Sequence, residues 1–280
     1  MKNVNDGIVA GYDGSPGSTE ALRWAIREAR ARGTTLTVCH AWTAGDADLP
    51  AQADLFELAR RRDREVLDHG LSYARSALGP DWVRSALTYG PPERVLCERS
   101  HTAEMVVLGS RGNTELSGSL LGAVSWQVAG HGSGRIVVVR GQWRAVNESP
   151  GPVVVGVDGS ASASQAVAFA LEEGALREVP VLAVCALADS PGRLGEAHQL
   201  EDDVSRVMSS AEKAHPEVTV LRQVTPGSPR SALLAAADGA QLLVLGSRGR
   251  GGLDDMGLGS VAQVMLHHAP CPVAVLRPRI

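Results

Sequence analysis

Short, almost wholly apolar runs alternate along this chain with stretches whose apolar residues recur every three or four positions. In the first half the apolar runs fall at about 7–12, 35–41, 83–88, 104–108 and 136–140, each of strand length. Between the first two, Ser18 to Arg32 places Leu22, Ile26 and Ala29 on one helical face, and Gly33 follows as a stop. Phe56 to Ala77 reads as a long, charged helix. Pro92 to His101 opens with proline in the first turn, where its missing N–H costs little. Gly122 to Gly130 supplies the last helix. Strands this apolar, alternating with helices, predict a parallel sheet covered on both faces. Five of them joined by right-handed crossovers predict a doubly wound, Rossmann-like α/β domain of strand order 3-2-1-4-5.

The pattern then repeats. Ile8-Val9-Ala10-Gly11-Tyr12-Asp13-Gly14-Ser15 returns 145 residues on as Val153-Val154-Val155-Gly156-Val157-Asp158-Gly159-Ser160. Met105-Val106-Val107-Leu108-Gly109-Ser110-Arg111-Gly112 returns 137 residues on as Leu242-Leu243-Val244-Leu245-Gly246-Ser247-Arg248-Gly249. The later helices return as Pro229 to Asp238 and Ser260 to His268, with Pro270 as the final stop. A period this long is a duplicated domain and not a solenoid unit. The expected domains are 1–141 and 151–280. The stretch Gly141 to Pro152, aperiodic and carrying two prolines, reads as the linker.

Composition narrows the function. The chain has 280 residues, 31 acidic against 27 basic, a net charge of -4, and 44% apolar residues, which is globular composition. Mild acidity and 4% aromatics argue against nucleic-acid binding, which needs a basic surface and stacking platforms. No apolar run approaches the roughly 18 residues of a membrane span, and the start lacks a secretory pattern, so a cytoplasmic location without membrane attachment is expected. Cys39, Cys97, Cys185 and Cys271 are too scattered for a zinc or disulfide framework and fit buried free thiols.

Open parallel sheets bind ligands beyond the carboxyl ends of the strands where the order reverses. Here those are the ends of strands one and four. Strand four runs into Gly109, Arg111, Gly112 and, at the next helix, Gly122; the second copy has Gly246, Arg248, Gly249 and Gly259. A Gly-x2-Gly-x9-Gly loop ending at a helix start can offer unpaired main-chain N–H groups and the positive end of the dipole to a phosphate without a lysine. The arginines can add a charge-assisted contact. Glycines at strand ends also serve turns alone, but the duplication of the whole pattern favours the ligand reading.

These motifs, with His267-His268-Ala269-Pro270-Cys271-Pro272-Val273 before the last strand, resemble the universal stress protein family in its tandem, ATP-binding form, over nearly the whole chain. The resemblance implies two doubly wound domains related by a pseudo-twofold axis, each with an ATP site, Mg2+ accompanying the nucleotide. In the first half, Gly11 and Asp13 would lie by the ribose and adenine, and the backbone at Ala41 would meet the adenine edge. Gly109, Arg111, Gly112 and Gly122 would hold the phosphates. Gly156, Asp158, Ala186, Gly246, Arg248, Gly249, Gly259 and Ser260 take these places in the second half. The family pattern has Ser or Thr after the third glycine. The first half has Ala123, with Ser125 two positions on as a compensating hydroxyl. It also has Asn113-Thr114-Glu115 where the second has Arg250-Gly251-Gly252, so the second site is expected to bind more tightly. The resemblance further implies a regulator in stress or growth arrest, with a regulatory protein partner. The last strands, Ile136 to Arg140 and Val273 to Arg277, lie at apolar sheet edges that seek partners, so the two halves are expected to pack there as a pseudo-twofold mimic of a family dimer, and a homodimer through edge strands is expected.

No catalytic residue emerges. No glycine precedes a lysine, so there is no P-loop, and the Gly-x-Ser-x-Gly elbow and Ser-Gly-Gly pyrophosphatase loop are absent. Asp254 and Asp255 could reach a magnesium ion but read as a solvated loop, and His267-His268 suits a helix end better than a metal. A slow ATPase using the same pocket, and a nucleotide-free scaffold, stay open as alternatives.

Overall fold

A computed structural model describes residues 6–43, 53–112, 121–140, 151–187, 194–249 and 257–279. The chain divides into two compact units, one running to Val139 and including Arg279–Ile280, the other from Arg140 to Pro278. In the first unit, β1 (Ile8–Gly11), α1 (Pro16–Arg32), β2 (Leu36–Trp42), α2 (Ala53–Leu78), β3 (Val83–Tyr89), α3 (Pro92–Ser100), β4 (Met105–Gly109), α4 (Ala123–His131) and β5 (Gly134–Val139) follow in order. The second unit repeats them as β6 (Val153–Gly156), α5 (Ala161–Arg177), β7 (Val181–Leu187), α6 (Leu194–Ala214), β8 (Val220–Pro226), α7 (Pro229–Ala236), β9 (Leu242–Gly246), α8 (Ser260–His268) and β10 (Val273–Arg277).

The first sheet has the order β3-β2-β1-β4-β5 and the second β8-β7-β6-β9-β10, so each half is the expected 3-2-1-4-5. Every pairing within each five-stranded sheet is parallel. The central strands are sealed on both faces: Ile8, Val9, Ala10, Val106, Val107 and Val153 to Val155 expose nothing. Burial of this kind is worth about 25 cal/mol per Å² of apolar surface. It explains why these strands read as continuous apolar runs rather than alternating ones.

Helix α1 begins two residues before the apolar periodicity does. Ser15 caps it, accepting the Ser18 N–H at 3.1 Å, and Pro16 takes the first turn. Ser160 caps α5 in the same way through Ala163. Both helices carry an ion pair one turn apart whose carboxylate is buried, Glu28 with Arg32 and Glu173 with Arg177. The predicted stop at Gly33 is a left-handed C-cap, φ 60°. Its counterpart is Glu178, which holds φ 56° and is the one non-glycine residue at positive φ among those described.

A side chain in this conformation costs roughly 1–2 kcal/mol. Glu178→Gly is therefore expected to raise the stability of the second half by about 1 kcal/mol, the glycine's greater unfolded-state freedom offsetting part of the gain. Urea unfolding followed by a probe in that half checks it; no gain would mean the cap is unstrained.

Candidate functional site

The two strand ends marked in the sequence meet in each half. Asp13 accepts the Ser15 N–H on Oδ1 at 3.0 Å, and Asp158 accepts that of Ser160 at the same distance. Gly14 (φ 80°) and Gly159 (φ 74°) supply the left-handed residue this turn needs. The Asp-Gly-Ser motif is thus a self-ordering turn that delivers the chain into a capped helix. The second carboxylate oxygen of each Asp faces the strand-four loop.

The loop glycines serve close approach, not unusual dihedrals: none of Gly109, Gly112, Gly122, Gly246, Gly249 or Gly259 has positive φ. A Cβ on Gly109 would lie 2.5 Å from the Gly17 carbonyl oxygen, and one on Gly246 would lie 2.6 Å from Ser162 Oγ. The start of the first helix of each half is packed onto the end of strand four. A Cβ on Gly112 would lie 2.7 Å from Asp13 Oδ2, and one on Gly249 would lie 2.5 Å from Asp158 Oδ2. Gly11 and Gly156 make room for Leu108 and Leu245. The third glycine closes the loop: Gly122 N–H donates to the Ser110 carbonyl at 2.7 Å, and Gly259 N–H to that of Ser247 at 2.8 Å. Hydroxyls tie the loop to the helix start, Ser15 to the Arg111 carbonyl and Ser162 to that of Arg248.

Beyond the third glycine, α4 and α8 start with a glycine N-cap and no side-chain capping bond. Their first-turn amides have no intrahelical acceptor and concentrate the positive end of the dipole. In the second half this turn opens on a cavity of about 360 Å³. The cavity brings together Gly156, Asp158, Ala186, Gly246, Arg248, Gly249, Gly259 and Ser260, all marked from the sequence. Val184, Pro229, Leu233, Leu245 and Leu258 form apolar walls that sequence reasoning missed. Pro229, at the start of α7 and matched by Pro92, was the available signal. The others look like ordinary core. The volume and the mix of apolar wall with a few polar groups are those of small-molecule sites.

Strand geometry sets the main-chain groups of Ala41 and Ala186. Tyr12 N–H donates to the Cys39 carbonyl and Val157 N–H to that of Val184, both at 2.9 Å. Main-chain groups alternate sides along a strand, so those of Ala41 and Ala186, two residues on, point the same way past the ends of β1 and β6. There they can offer a donor and an acceptor to a planar ligand edge.

In the first half Asp13, Gly109, Arg111, Gly112, Gly122 and Ala123 occupy equivalent places. Ser125 does not extend toward a ligand: it is buried and donates to the Gly109 carbonyl at 2.6 Å, committing its one proton to the main chain. The Asn113-Thr114-Glu115 segment, its counterpart Arg250-Gly251-Gly252, and Asp254 and Asp255 lie outside the described residues. Among described residues no three His, Cys, Asp or Glu side chains group as a metal site. Two of the buried thiols are held in their neutral form. Burial pushes Cys39 up to about 11 and Cys271 up to about 12.

These contacts separate two glycines that look alike in sequence. Gly249→Ala must displace the Asp158 carboxylate and is expected to cost about 1–3 kcal/mol. A Cβ on Gly259 meets nothing nearer than 3.5 Å, so Gly259→Ala should cost under about 1 kcal/mol, the price of a poorer N-cap. Thermal unfolding of the two variants tests the order; equal losses would contradict the close approach at Gly249.

The universal stress protein family profile matches residues 5–140 and again 151–277. A universal stress protein of Mycolicibacterium smegmatis is 33% identical over 98% of this chain and 97% of its own. The universal stress protein Rv2005c of Mycobacterium tuberculosis is 34% identical over 97% of both chains. The crystal structure of a universal stress protein from Archaeoglobus fulgidus superposes with a TM-score of 0.73 at 19% identity, covering 99% of this chain and 100% of that one. The duplicated motifs, the fold of each half and these relatives agree: the chain belongs to the universal stress protein family.

Proposed function

We propose that this protein binds ATP in the crevice of each half, more tightly in the second, and acts as a nucleotide-dependent regulator in a stress or growth-arrest response, read by a protein partner. The observation that carries the binding reading is the second-half cavity, where the uncapped first turn of α8 and the Gly246–Gly249 turn border one space with an apolar wall. The amides of Ser260 and Val261 and the Arg248 guanidinium would receive phosphate oxygens. Val184, Ala186, Pro229 and Leu233 would hold the base, and Asp158 would face the ribose. Mg2+ would accompany the bound nucleotide.

The ranking of the halves rests on Ser260 against Ala123. The second half has a hydroxyl at the first helical residue. The first half has none there, and Ser125 is engaged elsewhere. A binding role is favoured over hydrolysis because no glycine precedes a lysine in the sequence, and Asp158, the carboxylate among the described residues that line the second crevice, orders its own turn through the Ser160 N–H.

Saturating ATP, at about 100 times its dissociation constant, is expected to add about 2.7 kcal/mol of stability. Gly259→Ala places a methyl 3.7 Å from the Gly249 nitrogen without disturbing the fold and should weaken the tighter site by roughly tenfold or more, a loss of about 1.4 kcal/mol. Isothermal titration and native mass spectrometry of wild type, Gly259→Ala and Gly122→Ala check this. No binding, or equal losses from both substitutions, would overturn the reading or the ranking respectively. Steady phosphate release abolished by Gly259→Ala would move the protein to the ATPase class.

A further inference from the structure

The two halves hold the turn after strand four by different means. In the second half Ser162, in the first turn of α5, donates its hydroxyl hydrogen to the Arg248 carbonyl. Its Oγ also lies 3.1 Å from Ser160 Oγ. A serine hydroxyl has one hydrogen and a carbonyl oxygen only accepts, so Ser160 is the donor of that pair. Ser160 Oγ in turn accepts the Ala163 N–H at 3.2 Å. The bonds run one way, from the Ala163 amide through Ser160 and Ser162 to the carbonyl. Each hydroxyl both gives and receives, which strengthens its neighbours. The Ser160 N–H is held by Asp158, so this relay ties the Asp-Gly-Ser turn to the strand-four loop. The first half has Gly17 at the place of Ser162. A Cβ there would collide with the Arg111 carbonyl oxygen, and that carbonyl meets only the capping Ser15 hydroxyl among described side chains, at 3.4 Å. That is longer than an ordinary O–H···O bond.

What the relay holds is one end of a peptide plane. No described peptide bond is cis, so the Arg248 C=O and the Gly249 N–H lie in one plane and point in opposite directions. The carbonyl points at the start of α5. The N–H therefore points away from it. The start of α8 lies close to that nitrogen: a Cβ on Gly259 would be 3.7 Å from it, and Gly249, Gly259 and Ser260 border the same cavity. Among the described residues nothing accepts the Gly249 N–H. Asp158 Oδ2 faces the place a Gly249 Cβ would take. An anion is repelled from that side and drawn to the α8 side, where the helix dipole is positive.

We propose that Ser162 is a positioning residue of the second crevice. Its hydroxyl, backed by Ser160, pins the Arg248 carbonyl and so turns the Gly249 N–H toward the first turn of α8, as a fixed donor for an anionic oxygen. A donor set in place before binding loses no freedom when the ligand arrives. The first crevice, with Gly17, holds the corresponding peptide by packing and one long contact. The ligand consequence rests on the nucleotide reading above; the relay itself does not.

The test uses the full chain labelled with carbon-13 and nitrogen-15. Without ligand, Ser162→Ala should move the Arg248 carbonyl-carbon and Gly249 amide resonances and leave those of Arg111 and Gly112 in place. Ser162→Gly, which also removes the hydroxyl, should move them the same way. ATP and adenosine are then titrated, with the Gly249 and Gly112 amides reporting the two sites separately. In Ser162→Ala the second site should lose roughly two- to tenfold in ATP affinity, the scale of one hydrogen bond. The shift that ATP induces at the Gly249 amide proton should shrink. Adenosine affinity and the first site's ATP affinity should hold. A crevice that had merely loosened would lose ATP and adenosine alike. An unmoved Arg248 carbonyl in ligand-free Ser162→Ala would overturn the relay. Equal losses for the two ligands, or full ATP affinity with an undiminished Gly249 shift, would overturn the positioning role. A wild-type chain that binds neither ligand would count against the nucleotide reading, and the ligand-free resonances would still decide the relay.

Discussion

The architecture of each crevice depends on one steric constraint: the start of the first helix lies directly on the end of strand four. Gly109 meets the Gly17 main chain and Gly246 meets Ser162, at distances no Cβ could occupy. Because the helix start cannot move away without losing its serine cap, the strand-four loop is forced to turn over the strand-one exit. That brings the carboxylates of Asp13 and Asp158 against Gly112 and Gly249. The loop then closes through the third glycine onto the residue after the first, which leaves the first turn of α4 or α8 facing the gap. A site rich in main-chain donors follows from packing, with no cationic side chain needed to build it.

Duplication made two copies of this constraint and let the rest diverge. The steric parts are kept in both: the Asp-Gly-Ser turn, the capping serine and the leucine beside Gly11 or Gly156. Elsewhere the halves differ in chemistry. Glu178 keeps the left-handed cap that Gly33 forms with less strain. Ser260 stands where the first half has Ala123. The first half holds its second helix with a Trp42, Phe56 and Tyr89 cluster, ring centroids 5.0–5.6 Å apart, and with the His40 to Asp63 link. The two crevices therefore share a frame while differing in how the frame is held and what it presents to a ligand.

Much of this was legible in the residues. The apolar runs gave the strands because parallel strands are buried on both faces, and the repeat gave the two halves because identical turns need identical glycines. The site was legible as far as it consists of glycines, aspartates and a helix start. The apolar walls were not. Val184, Leu233 and Leu245 have the same sequence context as core residues, and only the end of the sheet exposes them to a cavity. That the Ser125 hydroxyl donates to the Gly109 carbonyl was not legible either, because spacing does not say which way a first-turn side chain turns.

The amino-acid sequence by itself determined the order of elements, the duplication and the pair of strand ends that meet in each half, since these follow from local periodicity and from residues with distinctive backbone properties. Only the tertiary structure decided why each glycine is there, which hydroxyls are spent on the main chain, and that Ser162 joins Ser160 to the Arg248 carbonyl. Those facts depend on contacts between residues up to about a hundred positions apart, and spatial approach of that kind leaves no periodic trace along the chain.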